Sequence, residues 1–429
     1  MADTPLRLGI AGLGTVGVGV IRMIRRNAKL IETRTGRSVV ISAISARSKS
    51  KDRGVNLDSY AWEDDPVKLA TRDDVDVFVE LMGGSDGPAK AATEAAIKAG
   101  KDVVTANKAM LAENGHGLAV MAEEAGQVIR YEAACAGGIP VVKALTEGLA
   151  ANEVTRVLGV MNGTCNYILT RMEETGQGYN VLFKEADDLG YLEADPNLDV
   201  GGIDAGHKLA ILASVAFGTK VDFANVTLEG IGSVTLDDIA TAKDMGYRIK
   251  LLGVAQMTGR GLEQRMTPCL VPYNSALGQL EGGTNMVILE GGDSGQIVLR
   301  GAGAGEGPTA SAVMSDVLDI ARGLRLPTFG QPVDTLVESK PALSETPAPY
   351  YIRLTLQNKP GALAKVAAAL GEAGVSIDRM RQQGQQDETA PVLIVTHKTS
   401  GQTMADMRDT FASSGVVDGD PVILRIEEI

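Results

Sequence analysis

The sequence predicts an α/β protein in three parts: a doubly wound parallel sheet, an α+β layer, and a small C-terminal β-α-β-β-α-β unit. Three observations lead there. Short apolar runs alternate with helical patterns through the first third. A glycine-rich turn follows the first of those runs. A polar stretch containing proline, "SKPALSETPAP" (339–349), sets the last 80 residues apart.

In order, "LRLGIAG" (6–12) reads as a buried strand and "VGVGVIRMIRR" (16–26) as the helix after it. "SVVISAISA" (38–46), "DVDVFVELMG" (74–83), "KDVVTA" (101–106) and "QVIRYEAA" (127–134) read as further strands. Helical patterns at 87–100 and 109–126 separate the last three. The middle, 135–300, mixes the helix "DAGHKLAILASVAFG" with β-rich pieces such as "NMVILEGG" and "GQIVLRG". A glycine loop and a long helix follow at 301–323. The tail reads strand 350–357, helix 361–373, strand 375–382, strand 391–397, helix 402–413 and strand 421–427, a ferredoxin-like order. No fixed-period repeat or low-complexity tract is read.

With 429 residues, two to three domains are expected. The boundaries predicted are 1–134, completed by 301–338, then 135–300, a linker at 339–349, and 350–429. A net charge of −13 argues against nucleic acid and anionic membranes as partners. No signal peptide is read at the N-terminus, and no apolar run is long enough to span a membrane. Three distant cysteines (Cys135, Cys165, Cys269) do not make a disulfide framework and fit a reducing cytoplasm.

"GLGTVG" (Gly12, Leu13, Gly14, Thr15, Val16, Gly17) is a G-x-G-x-x-G between a strand and a helix, the context of a Rossmann-like dinucleotide site. Gly12 allows the tight turn, Gly14 lets backbone approach a pyrophosphate, and Gly17 allows close helix–strand packing. The pyrophosphate would lie on the helix N-terminus. The second strand ends "SAISARSKS", without the acid that holds a ribose 2′-hydroxyl; Arg47 and Lys49 stand there instead. An arginine suits a 2′-phosphate, so NADP(H) is expected over NAD(H). Ser85 and Lys108 fall at the carboxyl edge of the sheet, where ligands bind in open α/β folds. For Lys108, position alone fits a solvated helix-start lysine equally well.

"GYLEADPNLDVGGIDAGHKLAILA" (190–213) brings Glu193, Asp195, Asp199, Asp204 and Lys208 to the mouth of an apolar helix. Asp204 and Lys208 are spaced i, i+4 and share a face. A half-buried lysine beside a carboxylate can be tuned as proton donor and acceptor. The loop carboxylates could hold a substrate ammonium. An acidic helix N-terminus with a simple ion pair accounts for the same spacing.

The segments "GLGTVG", "TANKAML", "YEAACAGGIP", "MNGTCNYIL" and "ADDLGYLEADPNLDVGGIDAGHK" together resemble homoserine dehydrogenase in the form with a C-terminal ACT domain, over essentially all of 5–429. The resemblance implies reversible NAD(P)H-dependent reduction of L-aspartate 4-semialdehyde to L-homoserine, in threonine and methionine biosynthesis. It implies Lys208 as general acid/base, Lys108 between nicotinamide and substrate, Glu193 and Asp204 as substrate contacts, and Asp199 as support. It implies a structural sodium ion on the backbone carbonyls of Glu132, Cys135, Gly137 and Ile139. Gly305 and Glu306 match a loop that returns to the cofactor. Residues 135–300 would bind substrate and form a homodimer or homotetramer. Leu192 departs from the pattern, which has a small residue there. In the tail, the turn Asn358–Ala362 matches the amino-acid site of ACT domains, with L-threonine the expected inhibitor. Deleting 345–429 would then leave catalysis and abolish threonine inhibition.

Two rival readings stay open. An acylating semialdehyde dehydrogenase would use Cys135 as its thiolate, but His116, His207 and His397 are not placed near it by sequence. A non-catalytic amino-acid sensor would use the nucleotide fold and the tail for binding alone.

Overall fold

The computed structural model describes residues 4–192, 195–342, 346–382 and 388–429. Its first sheet has six strands, all parallel: β1 (Leu6–Ala11), β2 (Val39–Ser45), β3 (Ala61–Glu63), β4 (Val77–Glu80), β5 (Asp102–Thr105) and β6 (Ile129–Arg130). Their spatial order is β3-β2-β1-β4-β5-β6. The order reverses between β1 and β4, so the crevice outside their carboxyl ends is the expected ligand site. β1, β4 and β5 are almost wholly buried, as strands covered on both faces must be.

The sixth strand is shorter than the sequence predicts. After Arg130 the chain leaves the sheet and turns into a short helix, Glu132–Cys135. The Glu132 backbone N–H donates to Asp316 Oδ2 at 2.8 Å, and its carboxylate accepts from the N–H groups of Val142 and Lys143 at 2.9 and 2.8 Å. Those bonds replace ladder bonds, which an apolar run cannot announce. The helix Glu306–Ala321 packs on Thr15–Thr35, with Ala310 and Val313 in the same core as Val20 and Ile24. The chain thus returns to the first sheet after residue 300.

The second sheet runs Gly295–Ala302, Thr284–Gly291, Val154–Val160, Tyr247–Thr258, Gly261–Pro272, Val417–Ile426, Tyr350–Gln357, Thr389–Thr396 and Ile377–Gln382. The two longest strands, Tyr247–Thr258 and Gly261–Pro272, are not singled out by sequence patterning. Both are buried on both faces over most of their length and so lack clean alternation. Four of these strands belong to the tail, where helices Ala362–Glu372 and Gly401–Ser413 complete the β-α-β-β-α-β order.

The tail is not a detached unit. Its last strand pairs in parallel with Gly261–Pro272, Cys269 opposite Arg425 and Leu270 opposite Ile426. Glu427 carries the join further. It accepts from Arg265 Nη2 at 2.6 Å and Arg425 Nε at 3.0 Å, and also pairs with Arg156. These pairings join residues on either side of the linker predicted at 339–349, so the two units share one sheet and one buried ion network.

Candidate active site

The glycine turn explains itself in space. Gly12 has φ +100°, and a Cβ there would meet Leu81 O at 2.3 Å. A Cβ on Gly17 would meet Gly12 O at 2.1 Å, whereas one on Gly14 meets nothing within 4 Å. The loop is therefore tight on the protein side and open on the ligand side. Leu13 is buried and its carbonyl accepts from Arg53 Nε at 3.0 Å. Arg53 Nη2 also donates to Ser48 O at 2.7 Å, so this arginine braces the loop that carries Arg47 and Lys49, both exposed. Sequence reading missed Arg53, which differs from its basic neighbours only in what it holds. Thr15 is exposed at the helix start, and Val16 lines the main cavity.

Across the crevice, the carboxylate of Glu80 is fully buried. It accepts from Met82 N–H at 2.6 Å, Gly83 N–H at 3.2 Å and the Thr105 hydroxyl at 2.6 Å. These bonds fix the loop after β4. Asn107 caps the helix Lys108–Glu124, accepting from Met110 N–H at 3.1 Å and donating to Gly84 O at 2.7 Å. Lys108 is thereby set at the sheet edge. Ser85 lies outside the main cavity lining; its carbonyl accepts from Asn114 Nδ2 at 3.0 Å.

The helix Ile203–Phe217 is buried from Asp204 through Ser214, as its two apolar faces predict. Lys208 Nζ donates to Asp204 Oδ2 at 2.6 Å and to Met161 O at 3.0 Å. Asp204 Oδ1 meets Lys108 Nζ at 2.7 Å. One carboxylate therefore joins two lysines that stand a hundred residues apart in sequence. Burial alone would push the Asp204 carboxyl up; the two ammonium groups overcome it and hold the pKa well below the usual carboxylate range. Asp199, 5% exposed, accepts from Asn162 Nδ2 at 3.0 Å. Glu193 lies outside the described residues. Leu192 lines the cavity.

Two asparagines here were not anticipated. Asn162 caps the helix Gly163–Thr175 and holds Asp199. Asn285 donates to Met161 O at 3.0 Å, the same carbonyl that Lys208 uses. Both come from segments whose spacing looks structural, and only their convergence on the lysine and the carboxylate marks them.

Lys108, Asn162, Asp199, Asp204, Lys208 and Asn285 open on one cavity of about 670 Å³, which Val16 and Gly305 also line. Gly305 caps the helix Glu306–Ala321 with φ +116°, and Glu306 pairs with Arg22 at 2.8 Å rather than facing the lysines. Among the described residues no group of three or more His, Cys, Asp or Glu side chains could hold a metal. A cation in the 132–139 segment would rest on carbonyl oxygens, a donor set that suits a hard ion. The Ile139 carbonyl already accepts from Val141 N–H at 2.8 Å, which leaves it one lone pair. Gly137 is pressed against Gly303, whose oxygen would lie 2.3 Å from an added Cβ. Cys135 is wholly buried, and that burial, with Glu132 adding to it, pushes its thiol well above the ordinary range. A thiol held protonated does not serve as the nucleophile of an acylating enzyme.

Comparisons agree along the length of the chain. Residues 140–318 match the homoserine dehydrogenase family, 12–132 match the homoserine dehydrogenase NAD binding domain, and 350–411 match the ACT domain. A homoserine dehydrogenase from Neisseria gonorrhoeae is 42% identical over 433 residues, covering 99% of both chains. One from Pseudomonas aeruginosa is 40% identical over 435 residues, again covering 99% of each. The crystal structure of a homoserine dehydrogenase from Thiobacillus denitrificans superposes with a TM-score of 0.93 at 36% identity, covering 99% of both chains. With a dinucleotide loop and a lysine-flanked aspartate opening on one cavity, and with relatives matched end to end, the chain belongs to the homoserine dehydrogenase family.

Proposed function

We propose that the protein catalyses the reversible reduction of L-aspartate 4-semialdehyde to L-homoserine, with NADPH preferred over NADH. The observation that carries this reading is the Lys108–Asp204–Lys208 arrangement in the cavity that begins at the glycine turn. A bound nicotinamide supplies hydride to the aldehyde carbon. The carbonyl oxygen gains negative charge as this happens and must be protonated. Lys208 Nζ, steered by Asp204 and Met161 O, is the proton donor, and it takes the proton back in the oxidation. Lys108 adds a second positive charge at that oxygen. Asp199 and Glu193 hold the amino-acid end so that the aldehyde faces the cofactor. Gly12 to Gly17 and Gly305 seat the dinucleotide, with Ser85 and Glu306 bordering that site and Arg47 taking the 2′-phosphate.

A sodium ion on the carbonyls of Glu132, Cys135, Gly137 and Ile139 would brace the segment beneath the site. The division into 1–134 with 301–338, 135–300 and 350–429, a cytoplasmic setting and a homo-oligomer of the middle segment belong to the same reading. So does feedback by L-threonine at the turn Asn358–Ala362. Asn358 to Gly361 are exposed and Ala362 is buried, and Gly361 has φ +87° and open space around it.

The deciding experiment follows NADPH oxidation on adding the semialdehyde, for the wild type and Lys208→Ala. The variant should lose roughly 10²–10⁴ in kcat. Near-wild-type turnover in a folded variant sinks the assignment. No oxidation even by the wild type would favour the binding-only alternative.

A further inference from the structure

One carbonyl beside the cavity is used twice. Met161 O accepts from Lys208 Nζ at 3.0 Å and from Asn285 Nδ2 at 3.0 Å. A carbonyl oxygen has two lone pairs, so these two donors fill it.

Strand pairing explains why that carbonyl turns to side chains. Val154–Val160 runs antiparallel to Thr284–Gly291, and their pairing ends with Val160 opposite Met286. Met161 and Asn285 come next beyond that pair, one from each strand. Met161 is 1% exposed, so its oxygen needs a donor from the protein. Where the ladder stops, Asn285 on the neighbouring strand and Lys208 on the helix Ile203–Phe217 take its place.

Asn285 is held there against its own interest. It is 2% exposed, and its Oδ1 has no hydrogen-bond partner among the described residues. A buried acceptor in that state is destabilising. Turning the amide over would set Oδ1 against Met161 O, two acceptors face to face, so the amide has one sense. The chain also clears space for it. A Cβ on Gly303 would lie 1.9 Å from Asn285 Nδ2 and 2.2 Å from its Cγ. Gly303 has no positive φ, so room for this amide is what calls for glycine. A destabilising group kept in the wall of a catalytic cavity is a mark of function.

The use lies in the lysine. Lys208 Nζ carries three N–H groups. Asp204 Oδ2 takes one at 2.6 Å and Met161 O takes a second. With two corners of the ammonium fixed, the third points in one direction only. Lys108 restrains Asp204 from its far oxygen at 2.7 Å, and Asn285 does the same for Met161 O.

We propose that Asn285 is a positioning residue for the reduction. Its amide N–H fixes the Met161 carbonyl and, through it, the direction in which Lys208 offers its third proton. The inference rests on Lys208 as the proton donor. Without Asn285, Met161 O keeps a bare lone pair, and the carbonyl and the ammonium can swing together away from the substrate oxygen.

The test is steady-state kinetics of Asn285→Leu and Asn285→Ser, with thermal melting of each. Leucine has nearly the shape of asparagine but no donor, and serine is too short to reach Met161 O. In both, kcat should fall by roughly 10-fold to 100-fold, the scale of a misplaced reacting group. The KM for the semialdehyde should stay nearly unchanged, because the bond matters only when the proton moves. The solvent deuterium isotope effect on kcat should rise as proton donation becomes slower. Asn285→Leu also removes the unpartnered acceptor, so it should melt no lower than the wild type. In a Lys208→Ala background, Asn285→Leu should cause no further loss in kcat, since the two residues act as a unit. Near-wild-type kcat in either variant overturns the proposal, and so does a full additional loss on top of Lys208→Ala. Near-wild-type turnover in Lys208→Ala alone overturns the reading beneath it, which keeps the two failures apart.

Discussion

Asp204 and Lys208 meet at 2.6 Å across one helical turn, and the far oxygen of the same carboxylate meets Lys108 at 2.7 Å. The carboxylate is 6% exposed and its pKa lies below the usual range, so it is ionised wherever the protein is folded near neutrality. It fixes the spacing of the two ammonium groups that the proposed chemistry needs.

Asp204→Asn tests that role. The amide keeps the shape but removes the charge, and two lysines are left facing each other over a neutral group. We expect kcat to fall by roughly 10²–10³, the scale of losing one preorganised charged partner. Urea unfolding should show lower stability at pH 7. Asp204 stabilises the fold above the unfolded aspartate pKa of about 4, and that contribution is lost as pH falls further through the depressed folded value. The stability gap between wild type and variant should therefore close in acid. A variant with unchanged kcat removes Asp204 from the site.

Arg47 sits exposed after β2 with Lys49, where no acid is present to bind a ribose hydroxyl. Arg47→Ala should raise the KM for NADPH by roughly 10-fold to 100-fold, the loss of one charge-assisted pair, and leave that for NADH nearly unchanged. Initial rates with both cofactors decide this. An unaltered NADPH preference would transfer the role to a neighbour such as Lys49.

What the sequence revealed and what it hid have physical causes. Asp204 and Lys208 could be paired from their spacing, because a helix brings i and i+4 together regardless of tertiary context. The glycine turn was legible because Gly12 and Gly17 each answer a separate steric demand. Lys108 was placed on the correct edge, but nothing local shows that it shares a carboxylate with Lys208. Asn162, Asn285 and Glu80 were invisible for the same reason, since each acts by a hydrogen bond to a distant segment. The long strands at 247–272 lacked alternation because both faces are buried. The continuity of the tail with the middle sheet depends on a two-residue parallel pairing, Cys269–Leu270 with Arg425–Ile426, and no pattern within either strand encodes it.

Lys250 gives a prediction on stability and pH. It is 2% exposed and donates to Asn166 Oδ1 at 2.9 Å and Leu280 O at 2.5 Å. Burial, with Arg248 nearby adding to it, lowers its pKa to about 8 from 10.5. The unfolded chain thus holds more protons than the native one between those values. Stability from this group is present above the unfolded pKa and is lost as pH falls through the folded one. Relative to Lys250→Met, the wild type should gain roughly 3 kcal/mol between pH 7.5 and pH 10.5. Urea titrations of both proteins across that range measure it. A difference that stays flat with pH would mean that the buried ammonium is fully compensated.

The join between tail and middle segment yields the last prediction. Arg265 is 6% exposed, and its guanidinium is divided between Glu263 at 3.0 Å and Glu427 at 2.6 Å. Glu427 in turn serves Arg425 and Arg156. Burial would raise the Glu427 carboxyl, but the arginines lower it, with Arg265 the strongest of them. Removing Glu427 leaves a buried arginine short of its closest counter-charge, which typically costs about 3–5 kcal/mol. Glu427→Ala should lower stability by that order in urea unfolding. Deleting 345–429 removes Glu427 and also uncovers Cys269 and Leu270 on the edge of Gly261–Pro272. An exposed apolar strand edge invites association. The deletion should therefore give aggregating or poorly folded protein rather than a desensitised enzyme, the reverse of what a freely linked domain would do. Size-exclusion chromatography and melting of the truncated chain check this. A monodisperse deletion protein with wild-type melting and full turnover would show that the shared sheet contributes nothing to the catalytic fold, and the threonine test could then use the truncation directly.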